Sequence, residues 1–266
     1  MEGGFPLPAM EMGALTGWLA QFLFAMLRIG AFLVASPAFG GRFTPLPIRI
    51  VASVTLAIPV MAHVPLPSPD ALAGVSALRL IIPELALGLT AGLVLTILFG
   101  AASLAGDRIA STAGLSFAAQ VDPAMGGQSP VVAQVFSIFL LMTFFALDGH
   151  LIAIRIVLES YTALPPGADF QPDRLIAAGL EAGTAMFALG LGIMLPVVSV
   201  LLLLNIVIGV ITRSAPALNL FSFGFPLTMM ATLLLLWLTV PGAAAAMQGV
   251  MSAALDLIGP ILGGGV

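Results

Sequence analysis

Residues 182–212 read Ala-Gly-Thr-Ala-Met-Phe-Ala-Leu-Gly-Leu-Gly-Ile-Met-Leu-Pro-Val-Val-Ser-Val-Leu-Leu-Leu-Leu-Asn-Ile-Val-Ile-Gly-Val-Ile-Thr, with no charge between Glu181 and Arg213. A bilayer core of about 30 Å is crossed by roughly 20 apolar residues in a helix, so this run is long enough to span with tilt or extension. Pro196 lacks an amide donor in mid-run and is expected to kink it. Working outward, comparable runs lie near 12–37, 47–63, 79–103, 131–160 and 226–258, which with 176–211 makes about six spans. Shorter division into seven or eight helices is the alternative.

The whole chain agrees with its longest run. Of 266 residues, 60% are hydrophobic and 8% charged, and mean hydropathy is +1.18, whereas a soluble domain carries roughly 25% charged residues. Too few charges exist to coat a water-facing surface, so the fold class expected is an all-α integral membrane protein. The eight basic residues are all Arg, and twelve acids bring the formal charge to -4, leaving no electrostatic footprint for nucleic acid. Absence of Cys excludes disulfides, thiol catalysis and thiolate metal sites, and two His are too few for a metal cage. The first ten residues hold two prolines and no basic cluster, so the first apolar segment is expected to stay in the mature protein. Arg42, Arg49, Arg108 and Arg213 fall on one side of the spans and Arg79, Arg155 and Arg174 on the other. The positive-inside rule favours the first set as cytoplasmic, with both termini outward.

The connections differ in character. Residues 63–74 and 163–173 are Pro-rich turns. The stretch 104–130 is too apolar for a solvent loop and is read as too broken by Gly and Pro for a span. Such backbone at membrane depth needs protein cover or a watery cavity, so a re-entrant or buried segment is expected here, and with it the leading functional site.

Arg28 lies inside the first apolar run and Glu84 follows Pro83 near the start of the third. An ionisable group at membrane depth costs roughly 2.5–3.5 kcal/mol on insertion scales. Two readings stay open: snorkelling at the interface, or a buried structural ion pair. A proton relay lacks a second acid at helical spacing. Asp148-Gly149-His150 ends the run from 124 to 147. An acid/base pair or half a metal site would need a nucleophile or third ligand that the sequence does not supply, and a helix-end hydrogen-bonding cluster is favoured. No phosphate-cradling Gly loop is present, so any energy comes from elsewhere. Gly88-x-x-x-Gly92 and Gly179-x-x-x-Gly183 permit close helix packing.

Three stretches together carry a resemblance. They are Leu27-Arg28-Ile29-Gly30 through Ser36-Pro37-Ala38-Phe39-Gly40 and Pro45-Leu46-Pro47-Ile48-Arg49; Gly114-Leu115-Ser116-Phe117-Ala118-Ala119-Gln120-Val121-Asp122-Pro123 with Gly127-Gln128-Ser129-Pro130 and Leu147-Asp148-Gly149-His150; and Ala215-Pro216-Ala217-Leu218-Asn219-Leu220-Phe221-Ser222-Phe223-Gly224-Phe225-Pro226-Leu227. In this order they resemble the FliR family of flagellar export proteins, whose injectisome relatives form the SctT family. The resemblance implies a single export-gate domain over 1–266, without enzymatic activity or cofactor, in the bacterial inner membrane at the flagellar basal body. It implies partners too: FliP-like and FliQ-like subunits in a helical, right-handed assembly, and FlhB-like and FlhA-like export proteins around it. Unfolded rod, hook and filament subunits would be the transported substrates, and partners would cover much of the apolar chain.

By the same resemblance the central segment is a plug, with Gly114, Leu115, Ser116, Phe117, Gln120, Asp122 and Pro123 as gating residues. Arg28, Arg49, Glu84, Asp148, His150, Asn219, Phe225 and Pro226 become assembly or structural positions. Two departures stand out: Lys is absent throughout, and Thr228 follows Phe-Pro-Leu where relatives often place a Lys. The Gly-Leu-Ser-Phe to Gly-Gln-Ser-Pro stretch looks closer to flagellar members than to injectisome ones. A secondary transporter would show matching broken helices in two halves, and no matching repeat is found. An intramembrane enzyme would need company for Asp148 and His150.

Overall fold

The computed structural model describes residues 12–41, 44–115, 131–215 and 223–263. Helix α1 is Met12–Ala35, the short α2 Pro37–Gly40, α3 Leu46–His63, α4 Leu78–Thr112, α5 Val131–Ala146, α6 Gly149–Ala163, α7 Pro172–Ser214 and α8 Phe225–Ile261. No strand occurs among the described residues. Helices α1, α3, α4, α7 and α8 are long and apolar enough to cross a membrane, and α5 with α6 forms a sixth candidate bent by 66°. The chain is an all-α membrane protein.

Proline placement explains several boundaries. Pro37, Pro47 and Pro172 sit in first turns, where an amide has no intrahelical acceptor to serve. Asp173 in the first turn of α7 and Arg213 in its last complement the helix dipole. Helix α7 runs through Pro196 without a break.

Two expectations are corrected. The segment expected to be irregular from residue 104 is helical as far as Thr112, so the third span outlasts its predicted end at 103. Between 104 and 112 there is one Gly and no Pro. That Gly weakens the helix by about 1 kcal/mol relative to Ala, but a Cβ there would lie 2.5 Å from the Cα of Ala133, so the small residue is what lets α5 approach. The span expected at 131–160 is two helices. Asp148 takes φ 56 between them, and its carbonyl accepts from the amides of Leu151 at 2.9 Å and Ile152 at 3.1 Å. Asp tolerates the left-handed region through its short polar side chain. A Cβ on Gly149 would sit 2.5 Å from the Phe144 ring. The Asp-Gly pair is therefore the hinge of a broken span.

The chain groups into two compact units: residues 1–93, 153–179 and 258–266 in the first, 94–152 and 180–257 in the second. In the first, Ala25, Ile29, Phe32 and Leu33 of α1 are buried with Ala57, Val60, Ala91 and Val157. Gly88 and Gly92 face α1 closely: a Cβ at Gly88 would strike the Arg28 carbonyl oxygen, and one at Gly92 would lie 2.7 Å from the Ala35 Cβ. Gly179 and Gly183 have nothing within 4 Å of such an atom, so among the described residues the first of the two small-residue spacings packs against another helix and the second does not.

In the second unit Ile109, Ala110, Ala113, Val132, Val197 and Leu201 form the core, with Phe136, Met194 and Leu235 packed against it. Along α8 the apolar residues Met230, Leu233, Leu234, Trp237 and Leu238 are exposed. A face of this kind needs lipid or protein cover.

Candidate functional site

The central segment departs from the end of α4, and that end is held by side chains from elsewhere. Gly114 adopts φ 80, which a residue without Cβ accepts at little steric cost. The Leu115 amide reaches back to the Ala110 carbonyl at 2.9 Å, and the Gly114 amide to Ser111 at 3.1 Å. This is the Schellman arrangement, which satisfies two of the last carbonyls of the helix. The next two are served at a distance. Asn205 Nδ2 of α7 donates to the Thr112 carbonyl at 3.0 Å, and Thr228 Oγ1 of α8 lies 3.3 Å from that of Ala113. Phe225 stacks on the bare Gly114, where a Cβ would come within 2.7 Å of its ring. At the far side of the segment α5 starts at Val131, its first turn pressed onto Gly106.

Of the residues expected to gate, Gly114 and Leu115 thus sit at a fixed helix end. Ser116, Phe117, Gln120, Asp122 and Pro123 lie outside the described residues, as does Asn219. Phe225 joins the third sequence stretch to the second through its contact with Gly114, while Pro226 is exposed in the first turn of α8. Asn205 was not singled out by sequence reasoning. The signal was present: it is an amide in an interval of α7 without charge, where a polar group must find a partner. Thr228, noted only as a departure, is buried. Its hydroxyl also lies 3.0 Å from the Phe225 carbonyl, so one hydrogen is shared between two acceptors.

The second constellation belongs to the first unit. Arg28 and Glu84, 1% and 2% exposed, form a two-pronged ion pair: Nε to Oε2 at 2.8 Å and Nη2 to Oε1 at 2.9 Å. Two further donors reach neighbouring oxygens. Nη1 donates to Ser160 Oγ at 2.9 Å and Nη2 to the Leu164 carbonyl at 2.9 Å. The guanidinium carbon lies 4.3 Å from the centre of the Tyr161 ring, and the Tyr161 hydroxyl donates to the Ala25 carbonyl at 2.8 Å. Of the two readings left open, the buried structural pair is the one found. A buried pair stabilises only with good geometry and further hydrogen bonds; here the pairing is two-pronged and four of the five guanidinium hydrogens have acceptors. A cavity of about 80 Å³ adjoins it, with Asp169, Gln171 and Arg174 in its wall.

The other named residues have local tasks. Arg49 Nη2 lies 2.9–3.0 Å from the carbonyls of Gly40, Gly41 and Thr44, clamping the turn before α3. Asp148 makes the hinge described above. His150 packs against Phe145 with ring centroids 4.9 Å apart, and its buried Nδ1 has no hydrogen-bond partner among the described residues. Arg155 and Glu159 pair at 2.7 Å on the exposed surface of α6. Among the described residues Asp148 and His150 belong to no group of three or more His, Cys, Asp or Glu side chains able to hold a metal ion.

The chain matches the family described as bacterial export proteins, family 1, over residues 19–254. It is similar to the flagellar biosynthetic protein FliR of Pectobacterium carotovorum subsp. carotovorum, 31% identical over 248 residues covering 93% of this chain and 95% of the relative. The protein of that name from Escherichia coli K12 is 29% identical over 92% of this chain and 94% of its own length. That of Bacillus subtilis 168 is 26% identical over 94% and 98%.

Proposed function

The chain belongs to the bacterial export proteins of family 1, and from that premise we propose that it is a structural and gating subunit of the flagellar protein export gate. The observation that carries this reading is the near end-to-end match to relatives named flagellar biosynthetic protein FliR. Those names also support the flagellar branch over the injectisome one. In this reading the chain assembles in the inner membrane with FliP-like and FliQ-like subunits, beside FlhB-like and FlhA-like proteins. Unfolded rod, hook and filament subunits pass through the channel they form.

Two features support an assembled existence. Among the described residues α7 and α8 present exposed apolar faces, and α6 carries the exposed Arg155–Glu159 pair among apolar residues. Charges at that depth suit a protein or aqueous neighbour better than lipid. Asp148, on the exposed side of its hinge, takes part in subunit placement in this reading.

The gating role falls to the segment between Leu115 and Val131, whose flanks are fixed in the second unit. An apolar constriction dewets and blocks ions, yet yields to an arriving polypeptide. Deleting residues 115–119 tests this, with co-purification of the FliP-like and FliQ-like subunits verifying assembly. Membranes holding the shortened gate are expected to leak small ions. Parental conductance from an assembled gate would refute the plug.

A further inference from the structure

We infer that Asn205 is a positioning residue: its amide, backed by Thr228 and by the Phe225 ring, sets where the polypeptide leaves α4. Each carbonyl from Ile109 to Ala113 at that helix end has a donor. Ile109, Ala110 and Ser111 are satisfied by the backbone amides of Ala113, Leu115 and Gly114. Thr112 and Ala113 are beyond the reach of that turn, and their oxygens meet Asn205 Nδ2 and Thr228 Oγ1. A helix leaves its last carbonyls without intrahelical donors, so donors from α7 and α8 at Thr112 and Ala113 tie the helix end to those two helices.

Asn205 has the larger share of this task. Its hydrogen bond is the shorter, and Thr228 divides its single hydrogen with Phe225. Phe225 adds a steric stop, because its ring fills the space where any residue but Gly at 114 would carry a Cβ. Three independent constraints from α7 and α8 therefore meet on residues 112–114. Without the amide the last turn of α4 frays.

The consequence for gating rests on the export-gate reading; the positioning itself does not. The chain has no Cys, so Leu115→Cys carries a single spin label at the held end. In the purified full chain, Asn205→Leu removes the donor at similar size and is expected to raise the mobile label fraction roughly 3- to 10-fold, the range one hydrogen bond spans. Asn205→Gln, which keeps the amide, is expected to return the spectrum toward the parent. An unchanged spectrum in Asn205→Leu, or equal mobility in both variants, overturns the inference. Should Asn205→Leu not fold, Thr228→Val removes the second donor at unchanged shape, and a mobile label is again expected and a parental one refutes. Ion permeability of assembled gates separates the two claims: a mobile label with a sealed membrane upholds the positioning role and defeats the plug.

Discussion

The unit around Arg28 and the unit around the end of α4 are both helical and both closely packed, yet they satisfy polar groups in opposite ways. The first encloses a full ion pair, with Ser160, the Leu164 carbonyl and Tyr161 completing its shell. The second has Thr228 and Thr232 as its buried polar side chains among the described residues, and holds its helix end by single neutral hydrogen bonds. A charge pair so enclosed makes its neighbourhood intolerant of losing either partner. Neutral bonds at a helix end can be given up one at a time. Both are held, the first by a charge pair and the second by several weaker neutral bonds.

Breaking the ion pair should have the largest effect. Glu84→Ala leaves an uncompensated guanidinium and is expected to destabilise the full chain by about 3–5 kcal/mol, read as a lowered denaturation midpoint in detergent. The double change Arg28→Met with Glu84→Leu should recover most of that loss, since an apolar pair of similar volume replaces a buried ion pair at little net cost. Should the double variant be no better than Glu84→Ala, the contrast between the units would rest on packing alone.

Close packing is what the two units share, and its disruption comes next. Gly88→Ala would press a Cβ into the Arg28 carbonyl and Gly106→Ala into the backbone of Ala133. Each is expected to cost about 1–3 kcal/mol. Gly183→Ala, which meets nothing within 4 Å, should instead gain up to about 1 kcal/mol from helix propensity. Equal losses at all three sites would show that the close approaches are not specific.

Asn205→Leu should cost about 1 kcal/mol in the same assay, while moving the Leu115 label far more than any label in the first unit. The smallest effect belongs to Arg155→Ala. Its pair with Glu159 is 77% and 60% exposed, and exposed pairs of this kind contribute little to stability. An unchanged denaturation midpoint is expected, whatever the variant does to assembly.

Much of this was legible in the sequence. Runs expected from 12, 47, 79, 131 and 226 lie close to the helix starts at Met12, Leu46, Leu78, Val131 and Phe225, because about 20 apolar residues between charges leave little choice. The Asp148-Gly149 pair was readable as a helix end, though not as a 66° bend, since a turn angle depends on how Phe144 packs on Gly149. Arg28 and Glu84 were readable as partners only in kind. Their pairing joins α1 to α4 across 56 residues, a separation on which local pattern is silent. The continuation of α4 to Thr112 was missed because Gly106 reads as a breaker, when its value lies in the approach of Ala133. Asn205 was legible only as an amide in a run without charge; its partner is a main-chain carbonyl, which no side-chain pattern advertises.

The central claim, that this chain is one subunit of an export gate, is tested most directly by isolating the tagged full chain from native membranes in mild detergent. Mass spectrometry then identifies the small hydrophobic proteins that accompany it. Recovery of FliP-like and FliQ-like flagellar subunits in a defined complex is the predicted result. A lone chain or a homo-oligomer, isolated under conditions that keep other membrane complexes intact, would contradict it.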